Sequence, residues 1–466
     1  MAIRFVPIDR DTPLLLPPNL RDWVPDDHLV HFILDAVAAL DLRRVKVNER
    51  GTGSEQYPPT MMLALLIYSY ATGTFGSRRI EQSTYDSVPV RLLTADTHPD
   101  HDTICTFRRE NQALLTESFV QVLQLAQQLK VLQVGQITVA VDGTKVLANA
   151  SKHSAVSYER AGQMIAQLEL EVGQLIAKAE QADSTPLQDG LTIPQEITRR
   201  QERKAALTKA RAEIEARAQA RYAIELAEHE KKMAERAAKQ ERGEKVGGKP
   251  PKAPTPEPGP GDQYNFTDSE SRIMKAGNGN HFEQSYNAQA AVDVRSRLIM
   301  GGRMSQSPND KQELVSDLQA IPAAAGSVEA VLIDSGFYSE SAVRAVEQTA
   351  EGQSSGTTVY AAMERKSHHR NVADLERKAE PAPPAAGASV SEVMKYRLAT
   401  AAGKQKYKLR QQTVEPVFGI IKSVMGFRRF LLRGLAKVKL EWALVCAAYN
   451  LKRLHRLAGL KLAGAG

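Results

Sequence analysis

The chain has 466 residues, 61 Lys and Arg against 54 Asp and Glu, a net charge of +7, and 42% hydrophobic residues. That hydrophobic content excludes a wholly disordered chain, and the length allows two to three domains or one domain with a large insertion. Two distant cysteines, Cys105 and Cys446, exclude a disulfide framework and a Cys-built zinc site.

No run of about 18 uncharged apolar residues occurs, so no membrane span is expected. MAIRFVPIDRDTPLL has no signal-peptide core before its charges resume. The expectation is a soluble cytoplasmic protein. Charge is unevenly spread: Glu392 to Gly466 holds 16 Lys and Arg against 3 Asp and Glu, leaving 45 basic and 51 acidic groups elsewhere. A +13 block of this kind attracts a polyanion, nucleic acid being the commonest, although a solubilising basic tail has the same composition.

In chain order, residues 1–133 read as short helices. Asp26 and Asp27 are placed to cap a segment through Leu29, Phe32, Ile33, Val37 and Leu40, which is helical spacing. Pro58 and Pro59 introduce TMMLALLIYSYATG, apolar throughout and therefore a buried helix. Ser77 opens SRRIEQSTYDS with Arg78 and Arg79 in its first turn, so helix, glycine turn and basic helix resemble a helix-turn-helix. A further helix starts near Asp102 or Thr103.

QITVAVDGTKV, Gln136 to Val146, is β-branched and alternating, a strand pattern within a first core segment, 134–154. Residues 155–246 read as a helical insertion. Tyr158, Ala161, Ile165, Leu168, Val172 and Leu175 step by 3 and 4, the seam of a coiled coil. Pro186 to Pro194 breaks it, and a charged helix from about Ile197 to Gly243 completes an antiparallel hairpin, either a partner-binding arm or a solvated spacer. Residues 247–262 are a Pro/Gly-rich linker. Within 263–466, SYNAQAAVDV and RLIMGGRM form a β-hairpin about Arg295-Ser296, VEAVLID is a strand, a helix begins at Ser339, and TTVYAAM is a strand. From Val390 the chain reads as helices broken by Gly403, Gly426 and Gly434.

Three acids stand out. Asp142 and Asp334 each end an apolar strand, where α/β folds place ligands and metals, although each also suits a plain turn. Glu415 is isolated among basic residues and shares a helix face with Lys422, seven residues on; it either binds metal or pairs with lysines. Three such carboxylates can hold two Mg²⁺ ions, with Mn²⁺ as a substitute, to activate an attacking oxygen and stabilise a leaving one. His153 reads as surface polar, and His281, His368 and His369 lack ligand spacing. Asn287 and Gln289 share one strand face, Asp310 reads as a helix cap, and Trp442 with Leu440, Leu444, Ala447 and Leu451 reads as core.

YPPTMMLALLIYSYATGTFGSRRIE, HDTICTFRRE, VDGTKVLANASKH, DSESRIMK, SYNAQAAVD, DSGFYS and the run from Tyr407 to Leu454 carry a resemblance over nearly the whole chain. The sequence resembles the DDE transposases of bacterial insertion sequences whose third acid sits in a Tyr-Arg-Glu-Lys signature, and within them the subgroup numbered eleven eighty-two. The resemblance implies a ribonuclease-H-like mixed-sheet α/β core, interrupted by the helical coiled-coil insertion and preceded by an all-α DNA-binding region. It implies catalytic, metal-binding Asp142, Asp334 and Glu415, with Tyr407, Arg410 and Lys422 as companions on DNA or the scissile phosphate. Arg428, Arg429, Arg78 and Arg79 are the further expected DNA contacts. Four residues separate Arg410 from Glu415 where the signature has three, and Gln411 takes the expected position; Ser285 stands where relatives often have glycine.

The expected function is metal-dependent cleavage at element ends followed by strand transfer into double-stranded target DNA. A homodimer would hold the paired inverted repeats in a nucleoid-associated cytoplasmic complex. Two rivals stand beside it: an ATPase or sugar-kinase-like enzyme using the VDGT and IDSG turns, and a DNA-binding regulator with an inactive core.

Overall fold

The computed structural model describes residues 18–47, 55–132, 135–181, 193–243, 249–275, 281–349, 351–363, 380–385 and 387–463. His368, His369, most of the Pro186–Pro194 break and the start of the linker lie outside them. Two compact units emerge, residues 1–146 with 286–466, and residues 147–285.

The first unit begins with six helices: α1 (Leu29–Ala38), α2 (Pro59–Thr72), α3 (Ser77–Asp86), α4 (Val88–Leu93), α5 (His101–Glu110) and α6 (Gln112–Gln128). The cap of α1 is the His28 ring, which accepts from Val30 N–H, not Asp26 or Asp27; the helix starts at Leu29, so His28 and neither acid occupies the capping position. Asp100 caps α5, slightly before the expected start. α2 is buried from Met62 to Ala71, as its unbroken apolar run demands.

The mixed sheet contains β1 (Gln136–Leu147), β5 (Phe282–Asp293), β6 (Ile299–Ser305), β7 (Ser327–Ile333) and β8 (Thr358–Ala361); β5 lies between β6 and β1, and β7 between β1 and β8. β5 and β6 are antiparallel, while β1–β7 and β7–β8 are parallel. Asp334 follows β7 directly, but Asp142 does not end its strand. The β-branched and apolar residues after Asp142-Gly143 extend β1 to Leu147, past its last pairing with β7 at Ala140.

α9 (Leu314–Gln319) and α10 (Glu340–Glu347) flank the sheet strands in sequence, and Ser339 caps α10. The C-terminal run comprises α11 (Val390–Ala399), α12 (Ala401–Lys408), α13 (Val414–Gly419), a wider π turn at Ile420–Val424 and α14 (Leu435–Ala463). Gly403 does not break this run. It lies inside α12, where a Cβ would collide with the Arg397 carbonyl oxygen, so the glycine permits a close approach. α14 packs on α2, α6 and β6, with Trp442 buried and its Nε1–H donated to the Gln289 carbonyl at 3.1 Å.

The second unit holds β2 (Ala155–Ser157), α7 (Tyr158–Gln181), α8 (Ile193–Glu241), β3 (Gln263–Asn265) and β4 (Arg272–Lys275). Glu171 meets Arg200 at 2.9 Å, Glu169 meets Lys204 at 2.8 Å and Tyr158 meets Glu215 at 2.7 Å. Partner numbers rise as the first number falls, so α7 and α8 run antiparallel. Val156, Ala161, Leu168, Leu207 and Ala210 form their buried contact.

Candidate active site

The site lies in the first unit, around the point where β1 passes Asp142. Asp142 Oδ1 accepts from Gly143 N–H at 2.8 Å, and Oδ2 accepts from Arg410 Nη1 at 3.4 Å. Arg410 Nη2 also donates to Glu415 Oε1 at 3.3 Å, so one guanidinium spans carboxylates 273 residues apart in the chain. Burial pushes the Asp142 carboxyl up to about 7, and the negative charges of Asp334 and Asp310 add to it, against the opposing pull of Arg410 and the Gly143 N–H. Asp334 Oδ1 accepts from Gly336 N–H in the turn after β7.

The helical residues are placed by ordinary local rules. Thr400 caps α12 through Gly403 N–H, which brings Tyr407 and Arg410 to the sheet. Tyr407 is half-buried beside Arg410 and Asp334, and burial raises its phenol. Glu415 stands in the first turn of α13, where a negative charge suits the helix dipole, and is exposed. Lys422 sits in the π turn, a geometry that re-aims side chains and is frequent at functional sites. Its Nζ donates to Thr144 Oγ1 at 2.6 Å and to the Lys145 carbonyl at 2.8 Å, next to Asp142 on β1. Burial lowers its ammonium, and Arg428 and Lys145 lower it further.

The Phe-Arg-Arg-Phe run is built by its ends. Phe427 and Phe430 are buried in an aromatic group with Tyr70, Phe75 and Tyr286, at centroid distances of 5.2 to 6.4 Å, which turns Arg428 and Arg429 outward. Glu441, buried on α14, accepts from Leu431 N–H and Leu432 N–H at 3.0 Å each, and from Tyr70 hydroxyl at 3.0 Å. Arg108 donates to that hydroxyl at 3.1 Å. Arg78 and Arg79 are exposed on α3, and among the described residues no hydrogen bond or ion pair joins them to the acids around Asp142.

Asp310 caps no helix: α9 starts four residues later, at Leu314. Its Oδ1 accepts from the Asn287 and Gln289 amides at 2.6 and 2.7 Å. The shared, apolar-flanked strand face of Asn287 and Gln289 is the only local sign of this polar cluster; Asp310 itself carries none beyond its helix-cap pattern. Among the described residues, no three Asp, Glu, His or Cys side chains converge closely enough to hold an ion as they stand. His153 and His281 take no part, and no described helix is long and apolar enough to cross a membrane.

The family described as Transposase DDE domain matches residues 382–455, which include Tyr407, Arg410, Glu415, Lys422, Arg428 and Arg429. The family described as Transposase domain (DUF772) matches residues 18–110, which include Arg78 and Arg79. Asp142 and Asp334 lie outside both matches. Neither a curated protein nor a solved structure matches the chain, and neither the kinase-like nor the inactive-regulator reading gains support. The two matches support a DDE-type insertion-sequence transposase, an enzyme that acts on DNA.

Proposed function

We propose that the protein cuts DNA at the ends of an insertion sequence and joins the freed 3′ hydroxyl to target DNA by in-line phosphodiester displacement. The observation that carries this is the Arg410 guanidinium, which spans Asp142 on β1 and Glu415 on α13 while Asp334 acts on Asp142 through space. Asp142, Asp334 and Glu415 are the catalytic acids. The donor set fits a hard divalent cation: it offers carboxylate oxygens only, and a positive group already bridges two of them. Asp142, Asp334 and Glu415 would hold Mg²⁺, or Mn²⁺ in its place. Two such ions, when bound, would supply charge stabilisation at the attacking and leaving oxygens.

The chain's own residues do the rest. Lys422 fixes the β1 backbone beyond Asp142 and adds positive charge beside the scissile phosphate. Tyr407 and Arg410 orient the third acid and contact DNA, despite the extra residue in the spacing. Arg428 and Arg429 hold the phosphate backbone, and Arg78 and Arg79 on α3 bind the element's ends. The mixed sheet with acids on β1 and after β7 supports the ribonuclease-H-like reading, and the antiparallel α7–α8 pair supports that of a coiled-coil insertion. A homodimer in the bacterial nucleoid would hold two ends together, and the resemblance carried by the motifs above assigns the chain to the subgroup numbered eleven eighty-two.

Single Asp142→Ala, Asp334→Ala and Glu415→Ala substitutions lower Mg²⁺-dependent cleavage of a fragment bearing the element's ends by at least ~10³-fold, with end binding held within about 3-fold. Normal cleavage by any one of the three overturns its assignment.

A further inference from the structure

A buried polar cluster lies behind Asp142 and none of the chemistry above uses it. Asn287 and Gln289 on β5 are fully buried. Asn287 Nδ2 donates to Asp310 Oδ1 at 2.6 Å and to the Ser307 carbonyl at 3.2 Å, and Gln289 Nε2 donates to the same Asp310 oxygen at 2.7 Å. With both Asn287 N–H groups engaged, its carbonyl oxygen is left facing β1 and accepts no hydrogen bond; Gln289 Oε1 accepts none either. What these groups meet on β1 is Gly143. A Cβ there would fall 2.6 Å from Gln289 Nε2, 2.7 Å from Asp310 Oδ1 and 2.8 Å from Asn287 Oδ1.

These contacts form a chain that ends at the reacting centre. Gly143 N–H is the donor that fixes Asp142 Oδ1. Asp310 holds the two amides, the amides and Asp310 close on Gly143, and Gly143 sets the Asp142 carboxylate. Lys145, two residues further along β1, has its ammonium 4.0 Å from the same Asp310 oxygen, so the acid touches the strand at a second point. Buried amides are retained where their hydrogen bonds fix a geometry, since an apolar pair would fill the space without the desolvation cost.

We propose that Asp310 is a positioning residue for Asp142: acting through Asn287, Gln289 and Gly143, it sets the carboxylate's orientation toward the divalent cation. The role requires Asp310 as a hydrogen-bond acceptor, not as a cation ligand. It rests on the reading of Asp142 as a cation ligand, and the test separates the two.

The test measures Mn²⁺ binding to the full-length protein by calorimetry, together with thermal melting and the kcat and KM of end cleavage. Asp310→Ala and Gly143→Ala each weaken Mn²⁺ binding and lower kcat by about 10-fold with KM for the DNA fragment unchanged, while Asp310→Asn, whose amide oxygen accepts the same two bonds, stays within about 3-fold of the parent. Parental Mn²⁺ affinity in a folded Asp310→Ala or Gly143→Ala protein overturns the inference. So does an Asp310→Asn protein as weak as Asp310→Ala, which would make the acid a ligand. If Asp310→Ala fails to fold, Gly143→Ala decides alone. Mn²⁺ binding that survives Asp142→Ala overturns the underlying reading of the site, whereas its loss there with parental binding in Asp310→Ala overturns this inference only.

Discussion

The α7–α8 hairpin and the Phe427–Phe430 run of the basic C-terminal segment both carry exposed positive charge, yet they partner it differently; elsewhere in that segment Arg397, Lys406 and Arg410 do meet acids. Along the hairpin, bases meet acids: Arg200 with Glu171, Lys204 with Glu169, Arg217 with Glu213, Arg221 with Asp262. In the C-terminal segment, Arg428 and Arg429 form no ion pair among the described residues, and aromatic anchors on either side hold them outward. Paired charge hydrates a surface and contributes little else. Unpaired charge on a fixed backbone leaves a positive field for phosphate. Charge density alone therefore does not distinguish the two; what differs is whether an acid stands within reach of each base, and among the described residues Arg428 has only the Lys422 carbonyl, at 3.0 Å.

The largest break in that comparison comes from DNA binding. An Arg428→Ala, Arg429→Ala double variant loses roughly 10- to 100-fold in affinity at moderate salt, and its slope of log affinity against log salt falls by about 2. Arg200→Ala with Lys204→Ala, removing the same charge from the hairpin, leaves affinity within about 2-fold. Filter binding at several salt concentrations measures both, and equal losses would erase the distinction.

Next in size is the anchor itself. Glu441→Ala removes a buried carboxylate that accepts from the Leu431 and Leu432 N–H groups and from the fully buried Tyr70 hydroxyl, at about 2–4 kcal/mol of stability by denaturant unfolding. Burial raises the Glu441 carboxyl, so the folded protein holds that proton more tightly than the unfolded chain does. Its contribution is therefore greatest at low pH and is lost as pH rises through the raised value. Glu441→Gln flattens that part of the stability–pH curve, and an unchanged curve would count against the assignment.

The Asp142 carboxyl, at about 7, has the same sign with a different readout. A cation ligand must give up its proton, so Mn²⁺ affinity rises with pH through about 7, up to ~10-fold per unit below it. Calorimetry from pH 5.5 to 8 tests this, and a flat profile would remove Asp142 as the titrating ligand. The smallest contrast lies within the hairpin. Leu207→Ala, in its buried contact, costs about 2–4 kcal/mol, whereas Lys204→Ala, in a largely exposed pair, costs under about 1 kcal/mol.

Much of this was legible in the order of residues. Alternation marked β1 and the β5–β6 hairpin, the unbroken apolar run marked α2 as buried, and 3–4 spacing marked α7, because these periodicities are properties of the local backbone. Glu415 was legible as an acid alone among bases. Other features were not. Asp310's true partners come from β5, more than twenty residues away. Glu441 and Tyr70 are separated by 371 residues, and no local pattern carries a contact of that length.

Residue order thus fixed most of the elements, the concentration of positive charge after Glu392, and the three acids worth testing. Packing settled which charges meet an acid, that Arg410 reaches both Asp142 and Glu415 across an irregular spacing, and that Asp310 stands behind Gly143. The physical reason is that propensity and periodicity act over a few residues, whereas hydrogen bonds between buried polar groups are made only when distant segments pack.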